Sequence, residues 1–205
     1  SIVAKTTCVD GAITVFPYEE GFESGVDCWT QTEPTIEGVS WYQESVYQYS
    51  YSGYIYAQEG NSFAYIYPHD NYGYGYDSVM LISNVMDLTI LDTPRLSFYH
   101  LQYQPNWYND YMRVYYRTSP ESAWVELATY SEEIENWRMD SVNLPNATTT
   151  YQIAFKAVGW GGDGVLLDNV RVYEANPNAA PCDAPTALTV NNVTESTAEV
   201  SWTGT

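Results

Sequence analysis

The chain has 205 residues, 45% of them hydrophobic, and carries 26 acidic against seven basic side chains for a formal charge of −19. That is enough apolar material for one sizeable core, whereas the charge excludes nucleic acid and anionic membrane as partners, since both demand basic patches. No apolar run approaches the ~20 residues of a membrane span, and no signal peptide is visible, so the sequence is expected to begin after any targeting segment of an extracellular protein.

In chain order, Ile13-Thr14-Val15-Phe16 is the first strand candidate, ended by Pro17. The segment from Gln31 to Ser40 reads as loop. From Trp41 to Asp77 the composition changes: eleven of the 21 tyrosines fall there, interrupted by Gly53, Gly60, Gly73 and Gly75. Alternation at Tyr47, Tyr49, Tyr51 and at Tyr54, Tyr56 would line rings along one strand face. Tyrosine joins a flat apolar ring to a polar tip, which suits sugar faces and protein partners. Trp41, Tyr47, Tyr49, Tyr51, Tyr54, Tyr56, Tyr72, Tyr74 and Tyr76 are therefore the candidate ligand-binding residues, with packing over a wide sheet as the plainer reading.

Beyond Tyr76 the strands become regular. Val79–Ile82 and Leu88–Leu91 are short apolar runs; Arg95–Leu101, Tyr111–Arg117, Trp124–Leu127, Arg138–Leu144 and Tyr151–Ala157 follow. Ser131 to Glu135 holds at most one helical turn. Many short strands with Pro, Gly and Asn punctuation predict an all-β sandwich or barrel. His69 and His100 are the only histidines; the first reads as part of a surface turn and the second as a hydrogen-bonded sheet residue. No nucleophile-elbow or zinc-protease motif is present, so catalytic residues are assigned to none.

Gly164 to Tyr173 is the last strand of this run. Strict alternation puts Leu166, Asp168, Val170 and Val172 on one face, so that Asp168 points at a core. A carboxylate there must be hydrogen-bonded, paired or bound to a metal. Cys8, Cys28 and Cys182 are an odd number. A Cys8–Cys28 bridge in an oxidising compartment and buried structural thiols remain alternatives, and Cys182 would find any partner outside this sequence.

The order Gly21-Phe22-Glu23-Ser24-Gly25, Cys28-Trp29, Leu81-Ile82-Ser83, Pro94-Arg95-Leu96-Ser97-Phe98-Tyr99-His100, Met112-Arg113-Val114, Trp124, Trp137, Ile153-Ala154-Phe155 and Leu167-Asp168-Asn169-Val170 resembles a MAM domain. It is more closely similar to the bacterial cleaved-adhesin and choice-of-anchor J modules. The resemblance implies a concanavalin-like jelly-roll β-sandwich over about residues 17–175, non-catalytic, serving adhesion and recognition of a glycan or extracellular protein. It also implies a structural Ca²⁺ held by Glu23 and Asp168, with Asp27 as a third ligand. This chain departs from the family in having Asp168-Asn169 where two acids are common, and in its longer tyrosine-rich insertion.

Residues 1–16 are then a lead-in and 176–181 a linker. The tail, Cys182-Asp183-Ala184-Pro185-Thr186-Ala187-Leu188-Thr189-Val190 and Ser196–Trp202, resembles the first two strands of a fibronectin type III domain. It is far short of the roughly 100 residues such a sandwich needs, so further domains are expected downstream. The reading that follows is a recognition module of a secreted or surface-anchored protein, without membrane insertion. A jelly-roll polysaccharide hydrolase, whose acids would stand about 5–9 Å apart, and a structural spacer are the alternatives.

Overall fold

A computed structural model describes residues 11–49, 53–69, 76–103, 110–160, 162–175, 186–191 and 199–203, with backbone only for Tyr49 and the last two segments. Alternation is strict where the sequence alternates. In Tyr111–Arg117 the residues Met112, Val114 and Tyr116 are buried while Tyr111, Arg113, Tyr115 and Arg117 are half-exposed. Fifteen strands are described, in chain order β1 (Tyr18–Glu20), β2 (Thr30–Gln31), β3 (Tyr42–Glu44), β4 (Val46–Tyr49), β5 (Gly53–Tyr56), β6 (Phe63–Ile66), β7 (Ser78–Ile82), β8 (Pro94–Gln102), β9 (Tyr111–Arg117), β10 (Val125–Tyr130), β11 (Ile134–Asn143), β12 (Gln152–Val158), β13 (Val165–Glu174), β14 (Thr186–Asn191) and β15 (Glu199–Thr203).

Two antiparallel sheets form a jelly-roll sandwich. One runs β11-β8-β13-β6-β3 with β1 also on β13; the other runs β10-β9-β12-β7-β2. Their inner faces interdigitate around Phe98 and Phe155, whose rings meet edge-on at 5.0 Å, with Trp29, Trp41, Leu81 and Val114 in the same core. Apolar burial of this kind supplies about 25 cal/mol per Å² and dominates the stability of the domain. The chain divides into two compact units, Ser1–Ala175 and Asn176–Thr205; in the second, β14 and β15 pair antiparallel.

Two local expectations change, and one open alternative is decided. Leu88–Ile90 is a 3-10 turn, not a strand, because Asp87 caps it by accepting the backbone N–H of Thr89 at 3.0 Å. Ile13 makes only an isolated bridge to Met86. Cys28 is disulfide-bonded; Cys8 and Cys182 lie outside the described residues.

The most consequential change is in β13. This strand pairs with β8 along one edge, and along the other with β6 through Val165–Leu167 and then with β1 through Val170–Val172. Between these stretches the register shifts, and Asn169 takes φ 45°. An extra residue in one strand reverses its facing. Val165 and Leu167 point into the sandwich, and after the bulge Val170 and Val172 do so again. Asp168 therefore shares the outer face with Leu166, and is not in line with Val170 and Val172 as strict alternation had it.

That outer face is covered. The β4–β5 hairpin lies over it, packing Ile55 and the half-buried Tyr47 onto Phe63, Tyr65, Leu101 and Leu166. Trp137 fastens the hairpin by donating its indole N–H to the Tyr56 carbonyl at 2.8 Å.

Candidate functional site

Alternation within the β4–β5 hairpin settles which tyrosines can meet a ligand. Val46 stands opposite Tyr56 and Gln48 opposite Tyr54. These four are the outward face, with Tyr54 58% and Tyr56 66% exposed. Tyr47 turns inward, and its hydroxyl donates to the Asp163 carbonyl at 2.9 Å. Burial pushes the Tyr47 phenol well above its ordinary range. Trp41 leaves the expected ligand set altogether: it is 1% exposed and its indole N–H bonds the Val79 carbonyl. A fully buried ring in the sandwich core offers a ligand no face. Tyr51, Tyr72 and Tyr74, with the side chain of Tyr49, lie outside the described residues.

Tyr76 belongs to a second aromatic surface, at one end of the sandwich. Its ring, 47% exposed, lies nearly parallel to that of Trp160, 56% exposed, with centroids 6.0 Å apart and planes 28° from parallel. His69 meets Tyr76 edge-on at 5.4 Å, and Tyr67 packs on the other side of His69 at 4.5 Å. Large apolar rings left in water side by side mark interaction surfaces more often than single exposed side chains do.

Asp110 sets this shelf in place. Its Oδ1 accepts the backbone N–H groups of Trp160 (2.7 Å) and Gly162 (3.1 Å), and its Oδ2 accepts that of Gly164 (2.8 Å) and the Nε2–H of His69 (2.8 Å). Asp110 is 1% exposed and His69 4%. His69 is thus a buried strut, not the surface turn expected of it; it is held there because Asp110 supplies an acceptor that makes burial of the ring tolerable. Its Nδ1 has no hydrogen-bond partner among the described residues. Gly159 completes the approach: a Cβ there would sit 2.1 Å from the Pro68 carbonyl oxygen. The exposed rings therefore stand on a rigid base.

Trp160, Tyr67, His69 and Asp110 were not singled out as site residues. The one local signal was a tryptophan set among glycines at Gly159-Trp160-Gly161-Gly162, which places an aromatic in a turn. Asp110 carried no signal, because its partners, three backbone groups and the His69 ring, lie about forty to fifty residues away.

Glu23 and Asp168, the candidate metal ligands, do come together. The Cγ of Glu23 and the Oδ1 of Asp168 each stand about 4 Å from the place where a Cβ on Gly21 would lie. Each holds the loop between β5 and β6. Asp168 Oδ2 accepts the N–H groups of Gln58 (2.8 Å) and Glu59 (3.1 Å), and its Oδ1 that of Asn169 (2.7 Å). Glu23 Oε1 accepts those of Asn61 (2.8 Å) and Ser62 (2.9 Å). Burial pushes the Asp168 carboxyl up to about 7; the three N–H bonds oppose this, and the Glu23 charge adds to it. Asp27 is exposed, and among the described residues no three His, Cys, Asp or Glu side chains gather. A calcium ion here would take two carboxylates and draw the rest of its six to eight oxygens from backbone and water.

The fold is thus a jelly-roll β-sandwich of two antiparallel sheets that carries an exposed pair of aromatic rings. The sequence pattern of the MAM domain family (meprin/A5/mu) matches residues 21–183, and the chain belongs to that family. Among solved structures it is similar to the K1 cleaved adhesin domain of Lys-gingipain from Porphyromonas gingivalis. The identity is 19%, with 79% of this chain and 100% of that one covered at a TM-score of 0.57. It is also similar to the K3 domain of the same protein (17% identity, 77% and 98% covered, TM-score 0.57) and to the TmCBM61 module in complex with β-1,4-galactotriose (12% identity, 76% and 94% covered, TM-score 0.50). No curated protein matches. No helix is long and apolar enough to cross a membrane among the described residues.

Proposed function

We propose that this MAM domain is a non-catalytic recognition module of a secreted or surface-held modular protein, and that it takes a glycan on the Tyr76–Trp160 shelf. The observation that carries the reading is the pair of exposed, nearly parallel rings, with the backbone of Trp160 fixed by the buried Asp110. A sugar presents apolar C–H faces that stack on such rings, and a platform fixed in advance loses little freedom on binding. A similar sandwich in TmCBM61 carries β-1,4-galactotriose, which supports the class of ligand.

The test is a glycan and extracellular-protein array probed with the parent and with Trp160→Ala and Tyr76→Ala. Loss of a central aromatic anchor is expected to weaken binding at least tenfold. Unchanged affinity in Trp160→Ala would overturn the shelf. Product release from a polysaccharide would favour the hydrolase, and silence on every spot the spacer.

We also propose that Glu23 and Asp168 share a structural Ca²⁺. The support is their adjacency beside the bulge of β13.

A further inference from the structure

The seven lysines and arginines of this acidic chain are not evenly spread. Three of them, Arg113, Arg117 and Lys156, fall on the outer face of the five-stranded sheet. Parity places them there: Met112, Val114, Ile153 and Phe155 join the inner core, whereas Met80, Ile82 and Ala154 form a separate apolar cluster with Tyr115 and Trp124. Lys156 stands directly opposite Arg113 in the β12–β9 ladder, with Met80 on its other side. In the next row Ala154 stands between Ile82 and Tyr115. Arg117 lies over the Trp124 ring at 4.4 Å and donates from Nε to Gln152 at 2.9 Å.

Like charges placed directly opposite each other destabilise a sheet, and this chain has acids in excess with which to separate them. Arg113 reaches Glu126 only at 3.4 Å, with both side chains more than a third exposed, and Lys156 makes no ion pair among the described residues. The pair therefore offers donors to an external anion, over an apolar floor and beside aromatic rings. From Arg113 to Arg117 the strand runs about 14 Å, so the surface suits an extended chain and not a lone ion. The remaining charge selects among anions. A body of net charge −19 repels a dense polyanion at range, and the cationic stripe acts only within about a Debye length of ~8–10 Å. That disfavours polyphosphate. It leaves a polymer whose negative groups are carboxylates on rings that also have C–H faces.

We propose that the outer face of the five-stranded sheet is a second binding surface, for a uronate-bearing polysaccharide whose carboxylates are gripped by Arg113 and Lys156, with the half-exposed Tyr115 against a sugar ring. The surface is separate from the Tyr76–Trp160 shelf and does not depend on it.

The probe is a galacturonic acid oligosaccharide, set beside the same oligosaccharide fully methyl-esterified and beside a sulfated dextran, each titrated calorimetrically at ~0.15 M salt. The free acid is expected to bind and the ester at least tenfold more weakly, since each lost charge-assisted hydrogen bond weakens binding about tenfold or more. Arg113→Gln and Lys156→Gln should each cost about tenfold for the free acid and little for the ester, with circular dichroism unchanged. Amide shifts on titration should concentrate in β9 and β12, and Trp160→Ala should bind the acid as the parent does. Equal binding of acid and ester, no binding of the acid, binding of the sulfated dextran alone, or loss of acid binding in Trp160→Ala would each overturn the proposal.

Discussion

Asp168 gives the stability of this domain an unusual pH dependence. Its carboxyl is wholly buried and is pushed up to about 7 from an ordinary 3.8. The folded state thus holds a proton that the unfolded chain releases. For an acid raised in this way, stability is highest at or below the unfolded pKa and is lost as pH rises toward the folded one. Between pH 5 and pH 8 the loss from this single group is about 3 kcal/mol, from two pH units at about 1.4 kcal/mol each. In a domain of this size that is a fall in Tm of roughly 6–12 °C. Other groups contribute in both directions: burial raises Glu20 and Asp163, whereas side-chain and backbone bonds from Thr93 hold Glu174 down. The assay is therefore a difference. Urea unfolding of the parent and of Asp168→Asn is followed from pH 5 to pH 8 in chelator. The variant should lose about 1–3 kcal/mol at pH 5, where one amide end faces N–H donors, and should show the flatter profile. A variant with the parent's pH slope would refute the argument, because the slope would then belong to other groups.

Calcium at a hundred times its dissociation constant should stabilise the parent by about 2.7 kcal/mol, and Asp168→Ala not at all; a parent whose midpoint ignores both calcium and chelator excludes the ion. Gly60→Ala should cost about 1–3 kcal/mol, since Gly60 has φ 67° and its Cβ would lie 2.2 Å from Glu23 Oε1; a melt like the parent's would show that the loop between β5 and β6 is not pinned as described. Asp110→Ala should lower stability by about 3–5 kcal/mol and loosen the shelf, because three backbone N–H groups, two of them buried, and His69 lose their acceptor; hydrogen exchange at Trp160, Gly162 and Gly164 reports it, and unaltered protection there counts against the hub.

Alternation by itself determined most of the sandwich. Arg95–Leu101, Tyr111–Arg117 and Tyr151–Ala157 are strands within a residue or two of the observed β8, β9 and β12, because a half-buried strand must alternate and its neighbours in sequence suffice to show it. Tertiary structure decided what local pattern cannot carry. The bulge at Asp168-Asn169 reverses the facing of β13 because β6 ends and β1 begins there, a fact about two strands far away in sequence. Trp41 sits among tyrosines yet belongs to the core, since Val79 offers its carbonyl and the sandwich closes over the ring. The shelf is assembled from Tyr67, His69, Tyr76, Asp110, Trp160, Gly162 and Gly164, with no shared period. Its centre is a carboxylate satisfied by backbone N–H groups, which every residue but proline possesses. Such partners leave no mark in composition, and only the folded chain shows which of them an aspartate has found.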